Sequence, residues 1–94
     1  MTERDRLLDD AKATLSERGA SYGGIEDNFG VIAEMWGAYL GEAVALDASD
    51  VANMMILLKV SRNRRLGVRD NWVDIAGYAA CGAECEEASR HGGA

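Results

Sequence analysis

Residues 50–78, DVANMMILLKVSRNRRLGVRDNWVDIAGY, form the stretch around which the rest of this chain is organised. The first half is an apolar segment, Gly67 interrupts the stretch, and the second half opens with Asp70 and Asp74. Glycine readily leaves the helical conformation, so the pattern predicts two helices joined by a short turn. We expect the functional residues of the protein to lie on these two helices.

The composition of the whole chain favours helices. Its 94 residues include no proline, which suits long helices better than sheets or linkers, and they fit one small domain. Apolar spacing predicts an all-α fold, a four-helix bundle with helices over about residues 3–18, 25–41, 49–65 and 70–87 and a frayed tail over 88–94. Thr2 is a candidate N-cap for the first helix, and Asp47 or Ser49 for the third.

The third helix is apolar on two sides. Placing its residues at 100° intervals puts one apolar group on one face, namely Val51, Met54, Met55 and Leu58. The remaining apolar residues, Ile56, Leu57 and Val60, point the other way. A helix that is apolar on two sides must be covered on two sides, either by a central position in the bundle or by a subunit interface on its open face. We expect a homo-oligomer, a dimer or a tetramer, to complete the bundle.

Polar residues of the third helix fall into two narrow strips. Asp50 and Asn53 share one strip, whereas Lys59, Asn63 and, loosely, Arg62 share another on the far side. One pocket cannot easily use both strips of the same helix. We therefore expect the Lys59 strip of one subunit to meet carboxylates of another.

The fourth helix carries a polar face and a small-residue face. The polar face comprises Asp70, Asn71, Asp74 and Tyr78, and the opposite side carries Trp72, Ala76, Ala79, Ala80 and Ala83. Gly77 and the alanines favour close helix packing. The polar face continues into Cys81 and Cys85, which indicates that it becomes buried, and an acidic patch on a buried face is typical of a site.

Several other residues have a structural interpretation. We interpret Trp36 and Tyr39 as core aromatics in preference to platforms for a base. Gly30 and Gly37 weaken the second helix and predict close approach of a neighbouring backbone. The two cysteines are interpreted as small buried hydrophobes, since a zinc site would need two further ligands. His91 lies in the predicted tail and receives no catalytic role.

The charge distribution limits the classes of partner. A formal net charge of −6 argues against a general nucleic-acid binder, which needs clustered cations. One basic cluster stands out and comprises Lys59, Arg62, Arg64, Arg65 and Arg69. It could hold a phosphate, or it could complement the dipole at a helix C-terminus. We find no secretory signal and no apolar run that could span a membrane, which predicts a cytoplasmic protein.

Three stretches resemble a known family. They are SYGGIEDNFGVIAEMW, DVANMMILLKVSR and DNWVDIAGYAA, within about residues 15–82. Together they resemble a family of small proteins of phages and actinobacteria. That family looks related to the nucleotide-modification-associated domain and, more distantly, to the all-α nucleoside triphosphate pyrophosphohydrolases of the MazG type.

The resemblance implies a set of site residues. MazG-like enzymes hold Mg²⁺ between a Glu-x-x-Glu pair and a Glu-x-x-Asp pair, because a hard dication prefers oxygen ligands. The corresponding positions here, with one adjacent carboxylate, are Asp50, Asn53, Asn71, Asp74 and Asp70. Two of the four carboxylates are carboxamides, which lowers the expected Mg²⁺ affinity. The resemblance further implies Lys59, Arg62 and Arg65 as phosphate ligands, and Tyr22, Asn28, Trp36 and Tyr78 as nucleotide ligands.

Two classes of function follow from this resemblance. In the first, the protein is a Mg²⁺-dependent nucleoside triphosphate pyrophosphohydrolase. In the second, it is a non-enzymatic oligomeric module that sequesters a nucleotide-like signal or engages a host protein. Nucleotide handling is common to the first class and part of the second. A purely structural role for the polar residues, as caps and interface hydrogen bonds, is the remaining interpretation.

Overall fold

The computed structural model describes residues 1–22, 24–41 and 44–92, of which residues 18–22, 26, 91 and 92 are described by their backbone alone. These residues form four helices and no strand. The helices are α1 (Glu3–Tyr22), α2 (Ile25–Leu40), α3 (Ala48–Arg65) and α4 (Arg69–Gly92). The all-α class and the number of helices are therefore as predicted.

Two helices extend further than the sequence pattern indicates. The helix α1 continues through Gly19 to Tyr22, and α4 continues to Gly92 through residues that we expected to fray. An interior glycine costs a helix only about 1 kcal/mol, which neighbouring residues can offset. In the last turns of α4, Arg90 also forms an ion pair with Glu87 at 3.5 Å, one helical turn away.

The structure confirms Thr2 as the N-cap of α1 and Asp47, one of the two candidates, as the N-cap of α3. The Asp50 amide donates to Asp47 Oδ1 at 2.9 Å, and the Asp47 amide donates back to Asp50 Oδ2 at 3.0 Å. This reciprocal pair is a capping box, which satisfies backbone donors at the start of α3. Thr2 and Asp5 exchange the same kind of bonds at the start of α1. The carboxylate of Asp50 thus already has a structural role.

Helices α3 and α4 are antiparallel and form the most extensive helix pair of the described chain. Residue numbers fall along α3 as they rise along α4 from one contacting pair to the next. The pairs are Asn63 with Asn71, Lys59 with Asp74, and Ala52 with Gly82. The buried core continues from this pair onto α2, and its members are Phe29, Ala33, Val51, Ala52, Cys81 and Cys85. Both cysteines are buried, as predicted.

Among the described glycines, Gly82 has the tightest surroundings on a neighbouring helix, and its position in the sequence does not predict this. A Cβ on Gly82 would lie 3.1 Å from the Cβ of Ala52, tighter than an ordinary contact. The prediction for Gly30 is wrong, because a Cβ there would meet nothing within 4 Å. A Cβ on Gly37 would lie at an ordinary 3.7 Å from the Val44 carbonyl oxygen. Helical spacing alone does not reveal which glycine faces a neighbour.

The predicted division of α3 into two apolar faces is also wrong. Its packed face carries Val51, Ala52, Met55, Ile56, Lys59 and Asn63, whereas Met54, Leu57, Leu58 and Val60 are exposed. The polar strip of Lys59 and Asn63 thus lies within the packed face. This arrangement is possible because α4 supplies a hydrogen-bonding partner for each of the two side chains.

On α4 the polar face is the one that packs inward. Asn71 is buried and Asp74 is partly buried, in agreement with the expected burial of this face. The opposite side, which we expected to pack closely, is exposed at Trp72, Ala79, Ala80 and Ala83. The prediction of a core aromatic fails for Tyr39, which is 91% exposed, whereas Trp36 packs against the core.

Helix α1 is joined to the start of α4 by charged side chains. Arg69 donates to Glu3 Oε1 and contacts Asp10 Oδ2, both at 2.8 Å. The hydrogen bond from Arg69 is the main cause that lowers the pKa of Glu3, and the same bond raises the pKa of Arg69.

In the described residues, no helix is both long and apolar enough to cross a lipid bilayer.

Candidate functional site

A cavity of about 450 Å³ lies between the four helices, and we call it the inter-helical pocket. Its volume falls within the usual range for small-molecule sites, about 300–1,000 Å³. Most of its wall is apolar or aromatic. The lining residues are Ala11, Thr14, Leu15, Ile25, Asn28, Phe29, Ile32, Trp36, Val51, Met55, Val73, Asp74, Gly77, Tyr78 and Cys81.

Four polar side chains lie among the apolar residues that line the pocket. Among the lining residues Asp74 alone carries a charge, and Asn28, Thr14 and Tyr78 add an amide and two hydroxyls. Thr14 donates its hydroxyl hydrogen to the Asp10 carbonyl, one turn earlier on α1. In a pocket of this kind, a few polar groups on an apolar surface orient the ligand.

Asp74 forms a close ion pair with Lys59. The Lys59 Nζ lies 2.7 Å from Asp74 Oδ2, and the two side chains are 14% and 25% exposed. A charge-assisted hydrogen bond of this length in a partly buried setting is stronger than a solvated surface pair. The pair forms within one chain, so the prediction that Lys59 could serve the acidic residues only from a second subunit is wrong.

Aromatic side chains form part of the pocket wall. The rings of Phe29 and Tyr78 have centroids 6.4 Å apart and are tilted by 36°. This spacing is typical of paired aromatic rings. Trp36 is half-buried and also lines the pocket.

The structure brings part of the predicted site together. Asn28, Trp36, Asp74 and Tyr78 all line the inter-helical pocket, and Lys59 contacts it through Asp74. These residues come from three different helices, so their proximity results from tertiary packing. Their roles toward a ligand remain predictions.

Other predicted site residues lie outside this wall. Arg62 and Arg65 are exposed in the last turn of α3, and Asn53 is exposed near its start. None of these side chains lines the inter-helical pocket. The side chain of Tyr22 lies outside the described residues.

The side chains expected to hold Mg²⁺ do not fit one cation site as they are arranged. The Asp50 carboxylate accepts in the capping box, and Asp70 is exposed. Asn71 is buried and donates its amide to Asn63 Oδ1 at 2.9 Å. Across the described residues, no three His, Cys, Asp or Glu side chains form a group that could hold a metal.

Sequence reasoning missed much of the apolar wall. Thr14 and Leu15 come from α1, Ile25 from the start of α2 and Met55 from α3. The helical spacing of Ala11, Thr14 and Leu15 shows that they share a face. It does not show that this face encloses a pocket, which depends on how α1 lies against α4.

The chain is a small all-α protein with a cavity of ligand size between its helices. Residues 6–86 match the family described as a domain of unknown function (DUF6378), and the chain belongs to that family. No solved structure matches the chain.

Two relatives come from mycobacteriophages. The "Gene 55 protein" of Mycobacterium phage D29 is 38% identical over 79 residues, which cover 82% of this chain and 51% of the relative. The "Gene 55 protein" of Mycobacterium phage L5 is 47% identical over 64 residues, covering 67% of this chain and 40% of the relative. The chain thus spans about half the length, or less, of these curated relatives. The phage family inferred from the resemblance is confirmed, and its relation to MazG-type enzymes stays a prediction.

Proposed function

We propose that the protein binds a nucleotide, or a nucleotide-like small molecule, in the inter-helical pocket. The observation that carries this proposal is the convergence of Asp74, Asn28 and Tyr78 on an apolar pocket that also contains Trp36. A nucleobase has an apolar ring face and a polar edge. The ring would gain from contact with the aromatic wall, and the edge would find hydrogen-bond partners within the same cavity.

The phosphates of such a ligand would lie outside the pocket. Asp74 is negative and lines the cavity, so a phosphate beside it would be repelled. Arg62 and Arg65 are exposed cations on the same helix as Lys59, and they are our candidates for phosphate contacts. In a phage-infected cell, this binding would take place in the host cytoplasm.

Binding and hydrolysis are separate proposals. Binding is supported by the pocket itself, whereas hydrolysis by a MazG-like mechanism needs carboxylates around Mg²⁺. Since the described aspartates do not form such a group, we propose binding as the function and test hydrolysis in the same experiment.

Tryptophan fluorescence offers a direct test of binding. Trp36 lines the pocket, whereas Trp72 is 57% exposed on the outer side of α4. A Trp72→Phe variant therefore leaves Trp36 as the single reporter. We expect nucleotides to change its emission in a saturable way and to release or absorb heat in calorimetry.

The titration uses a panel of nucleoside mono- and triphosphates, with and without Mg²⁺, while reaction products are separated by chromatography. Saturable binding without product would support the binding proposal, and formation of nucleoside monophosphate and pyrophosphate would support the pyrophosphohydrolase. No change in fluorescence or heat with any nucleotide at millimolar concentration would contradict both.

A second proposal is self-association, and it rests on exposed apolar side chains. Val31, Met35 and Tyr39 are exposed at four-residue spacing along α2, and Met54, Leu57 and Leu58 are exposed on α3. Such apolar surface is typical of faces covered by another protein copy. We propose that a second copy of this chain covers these faces.

Sedimentation tests the self-association directly. We expect wild-type protein to sediment as a dimer or a larger oligomer at micromolar concentration. Met35→Lys and Leu57→Lys should each shift it toward monomer, since both place a charge on a proposed contact face. Leu8→Lys is the matched control, because Leu8 is also exposed but lies on α1. A monomeric wild-type protein would contradict this proposal.

A further inference from the structure

We infer that the pocket selects a base whose edge carries adjacent N–H donors, as guanine does. This inference rests on the proposed function and names the class of ligand for the same pocket. It follows from the chemistry of the Asp74 carboxylate, from the way Lys59 uses that carboxylate, and from the spacing of the aromatic rings.

The pocket wall carries a hydrogen-bond acceptor at its one charged side chain, Asp74. An ionised carboxylate only accepts hydrogen bonds, so Asp74 favours a ligand group rich in donors. Asp74 is the one charged side chain among the lining residues, and Lys59 balances its charge from the α3 side. A neutral donor edge therefore fits this position better than an anion.

The Asp74 carboxylate has more acceptor positions than Lys59 alone uses. A carboxylate offers about four lone-pair positions, and Lys59 engages Asp74 Oδ2 at 2.7 Å. Two parallel N–H donors can then bind the two oxygens together, as the guanidinium of arginine does with carboxylates. Guanine has this pair in its ring N1–H and its 2-amino group.

Other bases match the carboxylate less well. Uracil and thymine flank their ring N–H with two carbonyl oxygens, which a carboxylate repels. Adenine and cytosine place an amino group beside a ring nitrogen that accepts, so each offers one donor where guanine offers two. Hypoxanthine is the closest comparison, because it differs from guanine only in lacking the 2-amino group.

The aromatic side chains of the pocket limit where the ring of the base can lie. With centroids at 6.4 Å, Phe29 and Tyr78 are too close to admit a third ring between them, since two carbon contacts need about 3.5 Å each. The base must instead stack on the open face of this aromatic pair or on Trp36. Asn28 belongs to the same pocket and can supply a donor for the guanine O6.

Guanosine and inosine provide the test, because neither carries a phosphate and they differ only in the 2-amino group. Their affinities are measured by Trp36 fluorescence in the Trp72→Phe protein. We expect guanosine to bind at least about tenfold more tightly than inosine, the usual effect of one hydrogen bond to a charged group. Adenosine and uridine should bind more weakly than guanosine as well.

Substitution of the carboxylate provides the second measurement. Asp74→Asn should reduce the guanosine-to-inosine affinity ratio to near one, since a carboxamide cannot accept two parallel donors with two oxygens. Asp70→Asn is the matched control, because Asp70 is an exposed carboxylate one turn earlier on α4 and does not line the pocket. It should keep the wild-type ratio.

The possible outcomes separate the inference from the proposed function. Equal affinities for guanosine and inosine, or a preference for inosine, would overturn the guanine assignment and leave nucleotide binding in place. Absence of binding by every nucleoside and nucleotide would overturn both. The guanosine and inosine comparison uses an intact Asp74, so it stays decisive if Asp74→Asn fails to fold by circular dichroism.

Discussion

Asp74 is a residue with two partners, one structural and one proposed. It forms an ion pair with Lys59 in the packed face of α3 and lines the pocket. An ion pair at this depth costs desolvation, which only a short hydrogen bond with good geometry can offset. Stability and ligand recognition therefore depend on the same side chain, and they must be measured separately.

The Lys59 and Asp74 pair gives a first prediction. Lys59→Met or Asp74→Asn alone should lower the free energy of unfolding by about 1–3 kcal/mol, because each leaves a partly buried charge unpaired. Urea denaturation followed by circular dichroism measures this loss. The double variant Lys59→Met with Asp74→Asn should lose less than the sum of the two single losses. Additive losses would show that the pair contributes no coupling.

Two glycines give a second prediction at the residue scale. Gly30→Ala should raise the free energy of unfolding by up to about 1 kcal/mol, since its site is helical and open. Gly82→Ala makes the same change against the Cβ of Ala52, where overpacking typically costs about 1–3 kcal/mol. We therefore expect Gly82→Ala to be neutral or destabilising. The melting temperatures of the two variants measure this difference. Equal stabilisation by both substitutions would contradict the close approach of Gly82 to Ala52.

At the scale of the element, α3 shows what local sequence can and cannot predict. Its start could be predicted, because a capping box involves residues three apart in the chain. Its faces could not, because the helix is apolar over most of its circumference. Only the position of α4 decides that Lys59 and Asn63 are covered while Met54 and Leu57 stay exposed.

The same limit applies to the candidate site. Asp74 and Tyr78 could be identified as site candidates from their common face and from the resemblance to a family. The sequence pattern places Lys59, the ion-pair partner of Asp74, on a second subunit, because helical spacing within α3 carries no information about α4. The prediction that Tyr39 is a core residue fails for the same reason, because an aromatic residue at helical spacing need not face the core.

The cap of α3 gives a prediction about pH. Hydrogen bonds from the Asp50 amide and then the Ser49 hydroxyl hold the pKa of Asp47 below its ordinary value of 3.8. A lowered pKa in the folded state means that ionised Asp47 stabilises the fold above pH 3.8. This contribution is lost as the pH falls through the lower folded-state value.

The measurement compares wild type with Asp47→Ala across pH. At neutral pH the variant should be less stable by about 1 kcal/mol, the usual value of an N-cap. The difference should shrink as the pH falls below 3.8. Thermal unfolding between neutral pH and pH values below this point tests it, and a difference that grows in acid would contradict the assignment.

At the scale of the whole molecule, the helices are unequally connected. Helix α4 contacts each of the other three, whereas α1 and α2 barely touch. The exposed ion pairs of Arg69 with Glu3 and Asp10 join α1 to α4, and salt screens such exposed pairs. The bundle is thus assembled around α4, with α1 as its most weakly attached member.

The antiparallel pair of α3 and α4 has a consequence for the order of folding. Only residues 66–68 separate these helices, so closing this hairpin costs little chain entropy and should occur early. The contact between Glu3 and Arg69 joins distant parts of the chain and should form late. Native-state hydrogen exchange should therefore be slowest in α3 and α4 and fastest in α1. Since α1 supplies Ala11, Thr14 and Leu15 to the pocket, local opening of α1 would also open this side of the pocket.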